Sequence, residues 1–147
     1  MGTKTLTFTA VDYASNSTSL VCTYSVQYVF SGFFAPVDNP SIVNLSKAGQ
    51  TVGVKYRLTD ANGVGISDTS SFVSITSAPN GNCTGQSDVI ETYSGSSGLQ
   101  YLGSGNWQYN WSTPKSYAGT CKIMTLNLKD GAVPPAGQPR TAFFQFK

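Results

Sequence analysis

The sequence predicts an all-β, antiparallel sandwich, and three observations carry that prediction. Apolar and polar residues alternate along stretch after stretch, the period of a half-buried strand. Clusters of Gly, Asn, Asp and Ser separate these stretches, as turns do. Charged residues make up only 11% of the chain while hydrophobic ones make up 39%, well under the roughly 25% charge of an average soluble domain. Such a chain has too little charge and too many aromatic and β-branched residues to stay unfolded.

Residues 4–12 open the pattern, with Leu6, Phe8 and Ala10 alternating against threonines. A turn over 13–17 follows. A long alternation then sets Leu20, Cys22, Tyr24, Val26, Tyr28 and Phe30 on one face. Pro36 and Pro40 confine the next segment to an edge, a bulge or a loop. Residues 51–59 place Val52, Val54, Tyr56 and Leu58 inward and Lys55 and Arg57 outward. Asn62-Gly63 supplies hairpin chemistry, and a weaker strand over 71–76 runs into a polar stretch over 77–86. Short strands are expected over 88–94 and 99–102, then over 106–112 after the tight turn Gly103-Ser104-Gly105. Residues 114–119 allow one helical turn. Met124, Leu126 and Leu128 share a face over 121–129, Asp130-Gly131 turns the chain, and Ala142, Phe144 and Phe146 point inward at the end. Short strands joined by turns in this way argue for a sandwich.

Several function classes are disfavoured by composition. The chain has no histidine, which removes the commonest general base and metal ligand and every Ser-His or Cys-His nucleophile pair. No constellation of nucleophile, base and orienting group stands out, so no catalytic residues, no metal ligands and no cofactor are expected. A net charge of +2 from nine scattered basic and seven acidic residues is too diffuse for a nucleic-acid site. No apolar run reaches the ~18 residues of a membrane helix, and nothing at the start reads as a signal peptide.

Individual motifs are weighed against plain structural roles. Trp107, Tyr109 and Trp111 alternate on one strand. They form either the sandwich core or a flat aromatic platform for a surface glycan. Asp60, Asn62 and Gly63 resemble half a calcium loop but lack the distal acid, so they read as a turn. Asp38 and Asn39 hold too little charge for tight ion binding. Asp88 and Glu91, three apart on a strand, are expected on opposite faces and therefore not as a catalytic pair. Lys55 and Lys129 alternate outward, which argues against an internal lysine–asparagine crosslink. The Asn16, Asn44, Asn82 and Asn110 sequons are assigned no function. Of three cysteines, Cys22, Cys83 and Cys121, none lies in a C-x-x-C pair. Either all three are free thiols, or an exported chain holds one disulfide and one odd cysteine.

The first 27 residues resemble the closing hairpin of a bacterial Ig-like surface repeat. The carrying text is Thr7-Phe8-Thr9-Ala10-Val11-Asp12, Asn16, and Cys22-Thr23-Tyr24-Ser25-Val26. Residues 28–147 resemble the PxKF domain of secreted multi-domain bacterial proteins. There the match runs from Phe30 through Asn39, from Lys47 through Leu58, and through Tyr109-Asn110-Trp111-Ser112-Thr113, Ala118-Gly119-Thr120-Cys121 and Phe144-Gln145-Phe146-Lys147. Gly53 and Tyr56 stand where the family has its namesake proline and phenylalanine. The resemblance implies an extracellular or cell-surface, non-catalytic, Ig-like structural or adhesive module. It also implies a disulfide between Cys83 and Cys121, where the family shows cysteines. Alternatives are a carbohydrate-binding module and a filament subunit that donates strands through its N-terminal hairpin. Expected partners are adjacent Ig-like domains or neighbouring subunits, with surface glycan as a further candidate and neither nucleic acid nor membrane insertion.

The hairpin poses its own question. Its inward face carries Leu6, Phe8, Ala10, Leu20, Cys22, Tyr24 and Val26, and a lone two-stranded hairpin is marginal in water. It either ends a preceding repeat whose other strands lie upstream, or folds back onto the second domain's sheets, or completes a neighbour's sheet. Leu6, Phe8, Leu20, Tyr24 and Val26 would form the assembly strands. Cys22 is expected to be buried against whatever covers this face, and unpaired.

Overall fold

The computed structural model describes residues 2–130 and 139–147; the expected turn at Asp130-Gly131 therefore lies partly outside the described residues. The chain forms eleven described strands in order: β1 (Gly2–Val11), β2 (Ser17–Val26), β3 (Val29–Phe34), β4 (Val43–Ser46), β5 (Thr51–Thr59), β6 (Phe72–Pro79), β7 (Ser87–Val89), β8 (Gly98–Gly103), β9 (Asn106–Ser112), β10 (Cys121–Leu128) and β11 (Thr141–Phe146). Single 3-10 turns occupy Thr69–Ser71 and Lys115–Tyr117.

Strands β3-β5-β9-β8 form a four-stranded sheet and β6-β10-β11-β4-β7 a five-stranded one. Their inner faces meet in one core, so the fold is the all-β sandwich that the alternation predicts, and of the Ig-like kind that the resemblance implies. The pairing is not purely antiparallel, however. β4 lies parallel to both β11 and β7. β4 itself escapes prediction because it has only four residues, three of them buried, and so shows no alternation.

β5 supplies Val52, Val54, Tyr56 and Leu58, all fully buried. Opposite them, Met124, Leu126, Ala142, Phe144 and Phe146 close the interior. Trp111 stands edge-on to Phe144 and Phe146, at centroid distances of 5.3 and 6.0 Å, the edge-to-face geometry that aromatic quadrupoles favour. Trp107 is buried too and its indole Nε1 donates to the Ile66 carbonyl at 3.0 Å, so its burial leaves no orphan donor.

Gly53 faces outward on β5, where the segment after β7 crosses from one sheet to the other. The Ser94 amide donates to the Thr51 carbonyl at 2.8 Å. A Cβ on Gly53 would sit 2.5 Å from the Ser94 hydroxyl. The crossing strap thus occupies the space a side chain would need, which gives the glycine at this position a steric reason.

The long alternation from Leu20 to Phe30 does not make one strand. It breaks at Gln27-Tyr28 into β2 and β3. The Tyr28 amide, instead of joining a ladder, donates to a carboxylate oxygen of Asp130 at 2.9 Å. Arg140 grips the same buried carboxylate with two bonds of 2.7 and 2.8 Å. The bidentate geometry is what makes a buried ion pair tolerable. Tyr28, 4% exposed, marks where the sandwich starts.

Candidate association surface

Among the described residues β1 and β2 pair only with each other, as a separate two-stranded ribbon. Folding back onto the sandwich's sheets is therefore not what the chain does. The turn that joins the strands is built from within. One Asp12 carboxylate oxygen accepts from the amides of Ala14 and Asn16 at 2.8 and 2.9 Å, and the other accepts from the Asn16 side chain at 2.9 Å. That side-chain bond, with the two amides, holds the Asp12 carboxyl below its usual range.

Cross-strand neighbours share a face. The register pairs Leu6 with Cys22, Phe8 with Leu20 and Ala10 with Thr18 on one face. It pairs Thr5 with Thr23, Thr7 with Val21 and Thr9 with Ser19 on the other, where the Thr9 and Ser19 hydroxyls bond at 3.0 Å. The ribbon is therefore amphipathic, and its apolar face is open. Leu6, Phe8, Leu20 and Tyr24 are 49, 55, 64 and 53% exposed, while Val26, next to the sandwich, is half-buried. Cys22 is a free thiol and exposed. This corrects the expectation that it is buried: the face it belongs to is as read, but among the described residues no sheet lies over it.

The aromatic strand β9 is corrected as a glycan platform. Trp107 and Trp111 are 1 and 7% exposed, and Tyr109 is half-buried and stacked on Phe72 at 4.6 Å. All three rings point into the layer between the sheets. On the opposite face, Gln108 bonds to Asn110 and Ser94, and Asn110 to the Ser96 carbonyl, so those amides fasten the strap.

The acidic residues gather where the pattern separates them. β7 ends at Val89, so alternation does not extend to Glu91. Asp38, Asp88 and Glu91 line one open groove of about 430 Å³ together with Lys55. Burial, and then the negative charge of the Asp88 carboxyl beside it, raise the Asp38 pKa above its usual value. Asn39 is committed elsewhere, closing a two-bond ring with the Phe33 backbone. Asp60 caps its own turn, accepting from the amides of Asn62 and Val64. Among the described residues no group of three or more Asp, Glu, His or Cys side chains is placed to hold a metal. Lys129 is exposed and donates to the Ser70 hydroxyl at 3.1 Å.

Cys83 and Cys121 form the disulfide, with Cα atoms 5.7 Å apart and both residues half-buried. It ties the loop after β6 to the start of β10. Beneath that loop is a second cleft of about 420 Å³, which spacing alone does not reveal because its walls come from four separate parts of the chain. No helix among the described residues is long and apolar enough to cross a membrane. Comparison with protein-family models, curated proteins and solved structures finds no match.

Proposed function

We propose that the chain is a non-catalytic structural or adhesive module of an exported bacterial protein, of the PxKF kind, and that its ribbon joins it to a sheet outside its own sandwich. The observation that carries this reading is the open apolar face of β1 and β2. The sandwich completes its own core, whereas the ribbon holds four large apolar side chains about half exposed. Each is worth roughly 1.5–3 kcal/mol when fully covered. The two outer edges of the ribbon add unpaired backbone groups that a neighbouring strand can use. A neighbouring subunit or an adjacent Ig-like domain supplies such a sheet. The disulfide suits an oxidising compartment, which supports an extracellular or cell-surface site.

Light scattering over a range of concentrations tests the reading on the full chain. The unaltered chain is expected to populate species heavier than 15.6 kDa, and the doubly charged variant Phe8→Glu/Leu20→Lys to remain at that mass. A chain that stays monomeric at every concentration, with ribbon amides exchanging as freely as in the variant, overturns association between copies.

A further inference from the structure

We propose that the cleft beneath the disulfide loop is a binding site for an uncharged saccharide. This does not rest on the ribbon, which takes no part in it.

The floor is apolar and fixed by register. Ile123 of β10 lies opposite Phe143 of β11, and Phe143 opposite Val43 of β4. All three line the cleft from the outer side of the five-stranded sheet. They sit on the face opposite Met124, Ala142 and Phe144, whose side chains fill the core. The rim is polar and neutral, made by Ser41, Asn80, Asn82, Thr84, Gly85 and Gln86. None of the described residues that line it carries a charge.

The loop that forms the rim is pinned rather than draped. The Asn80 amide donates to the Cys121 carbonyl at 2.9 Å. Three residues on, the disulfide returns to the same Cys121. The Asn82 side chain then accepts from the Thr84 amide at 2.9 Å. Gln86 closes the loop by accepting from the Val43 amide at 2.9 Å. Rim and floor are thus held together before any ligand arrives, which lowers the ordering cost of binding.

This chemistry selects by exclusion as well as by fit. An anionic or cationic ligand would give up its water and meet no opposite charge. A purely aliphatic ligand would leave the amides and hydroxyls unpaired. What suits both surfaces is a ligand with one C–H face for the Phe143 ring and a periphery of hydroxyls for amides that both donate and accept. A neutral sugar has that division. The volume falls within the roughly 300–1,000 Å³ usual for small-ligand sites.

The test is titration of the isotope-labelled full chain by NMR with neutral oligosaccharides of glucose, mannose and N-acetylglucosamine, and with sialyllactose as the charged counterpart. At least one neutral series is expected to shift the side-chain amides of Asn80, Asn82 and Gln86 and the Ile123 methyls at millimolar concentration. Phe143→Ala and Gln86→Ala should each weaken that binding roughly ten-fold, the loss of about 1.4 kcal/mol of contact, with the rest of the spectrum unchanged. The paired variant Cys83→Ser/Cys121→Ser should weaken it by freeing the rim. No response to any neutral sugar, shifts confined to another surface, equal binding of sialyllactose, or full affinity in both Phe143→Ala and Gln86→Ala would each overturn the proposal.

Discussion

In β5, Val52, Val54, Tyr56 and Leu58 occupy alternate positions and none is exposed. In β1 and β2, Leu6, Phe8, Leu20 and Tyr24 alternate just as regularly and stand about half exposed. The two regions have the same period and comparable side chains. They differ in what topology lays across them: β5 faces the β6-β10-β11-β4-β7 sheet, and among the described residues the ribbon faces none. Alternation therefore identifies an apolar face, and only the path of the chain decides whether that face is covered.

The sharpest way to break this contrast is to truncate one ring in each region. Trp111→Ala leaves a cavity against Phe144 and Phe146 and should cost about 3–5 kcal/mol. Phe8→Ala should change the stability of the monomeric chain by less than about 0.5 kcal/mol. Urea unfolding followed by far-UV circular dichroism measures both. Comparable losses would show that the ribbon is covered within the same chain after all.

A second substitution asks whether the outer face of β5 is as tightly filled as the inner one. Gly53→Ala puts a methyl against the Ser94 hydroxyl. Overpacking of this kind costs about 1–3 kcal/mol, so the unfolding midpoint should fall. Hydrogen exchange at Ser94 should quicken as its bond to Thr51 loosens. An unchanged midpoint would mean that the strap moves aside freely.

The smallest effect belongs to the groove beside β7. Burial and Asp88 both raise the Asp38 pKa, so the folded state holds that proton more tightly than the unfolded chain. Stability from this site is greatest at low pH. It declines as pH rises from the ordinary carboxyl value of 3.8 through the raised folded value. Asp88→Asn should bring the Asp38 titration, followed by carboxyl carbon NMR, down towards the ordinary value and shrink that decline. Burial, the larger cause, remains, so the decline should not vanish. An unmoved Asp38 titration would assign the whole effect to burial.

These contrasts also explain what could be read from residues alone. β5, β9, β10 and β11 were legible because large apolar residues facing the core alternate along each with residues of the opposite face that are mostly half-buried. β4 was not, because Asn44 is buried like its neighbours. Its side chain serves as a clamp, accepting from the Asp38 amide and donating to the Phe143 carbonyl. The division between β2 and β3 was hidden because it depends on Asp130, 102 positions away from Tyr28. In the ribbon the apolar face was legible and its exposure was not. The cleft under the disulfide loop was least visible. Ile123 and Phe143 read as ordinary outward positions and 77–86 as a polar connection, and only the sheet order brings them together.

Both tryptophans of the chain lie on β9, inside the sandwich, and the ribbon has none. The molecule thereby has a built-in optical division. Indole emission reports the packing of the interior, where Trp107 and Trp111 stand among Ile66, Phe144 and Phe146. The ribbon, with only phenylalanine and tyrosine rings, is almost silent in that signal. Events on the ribbon and melting of the sandwich can therefore be followed in one cuvette without a label.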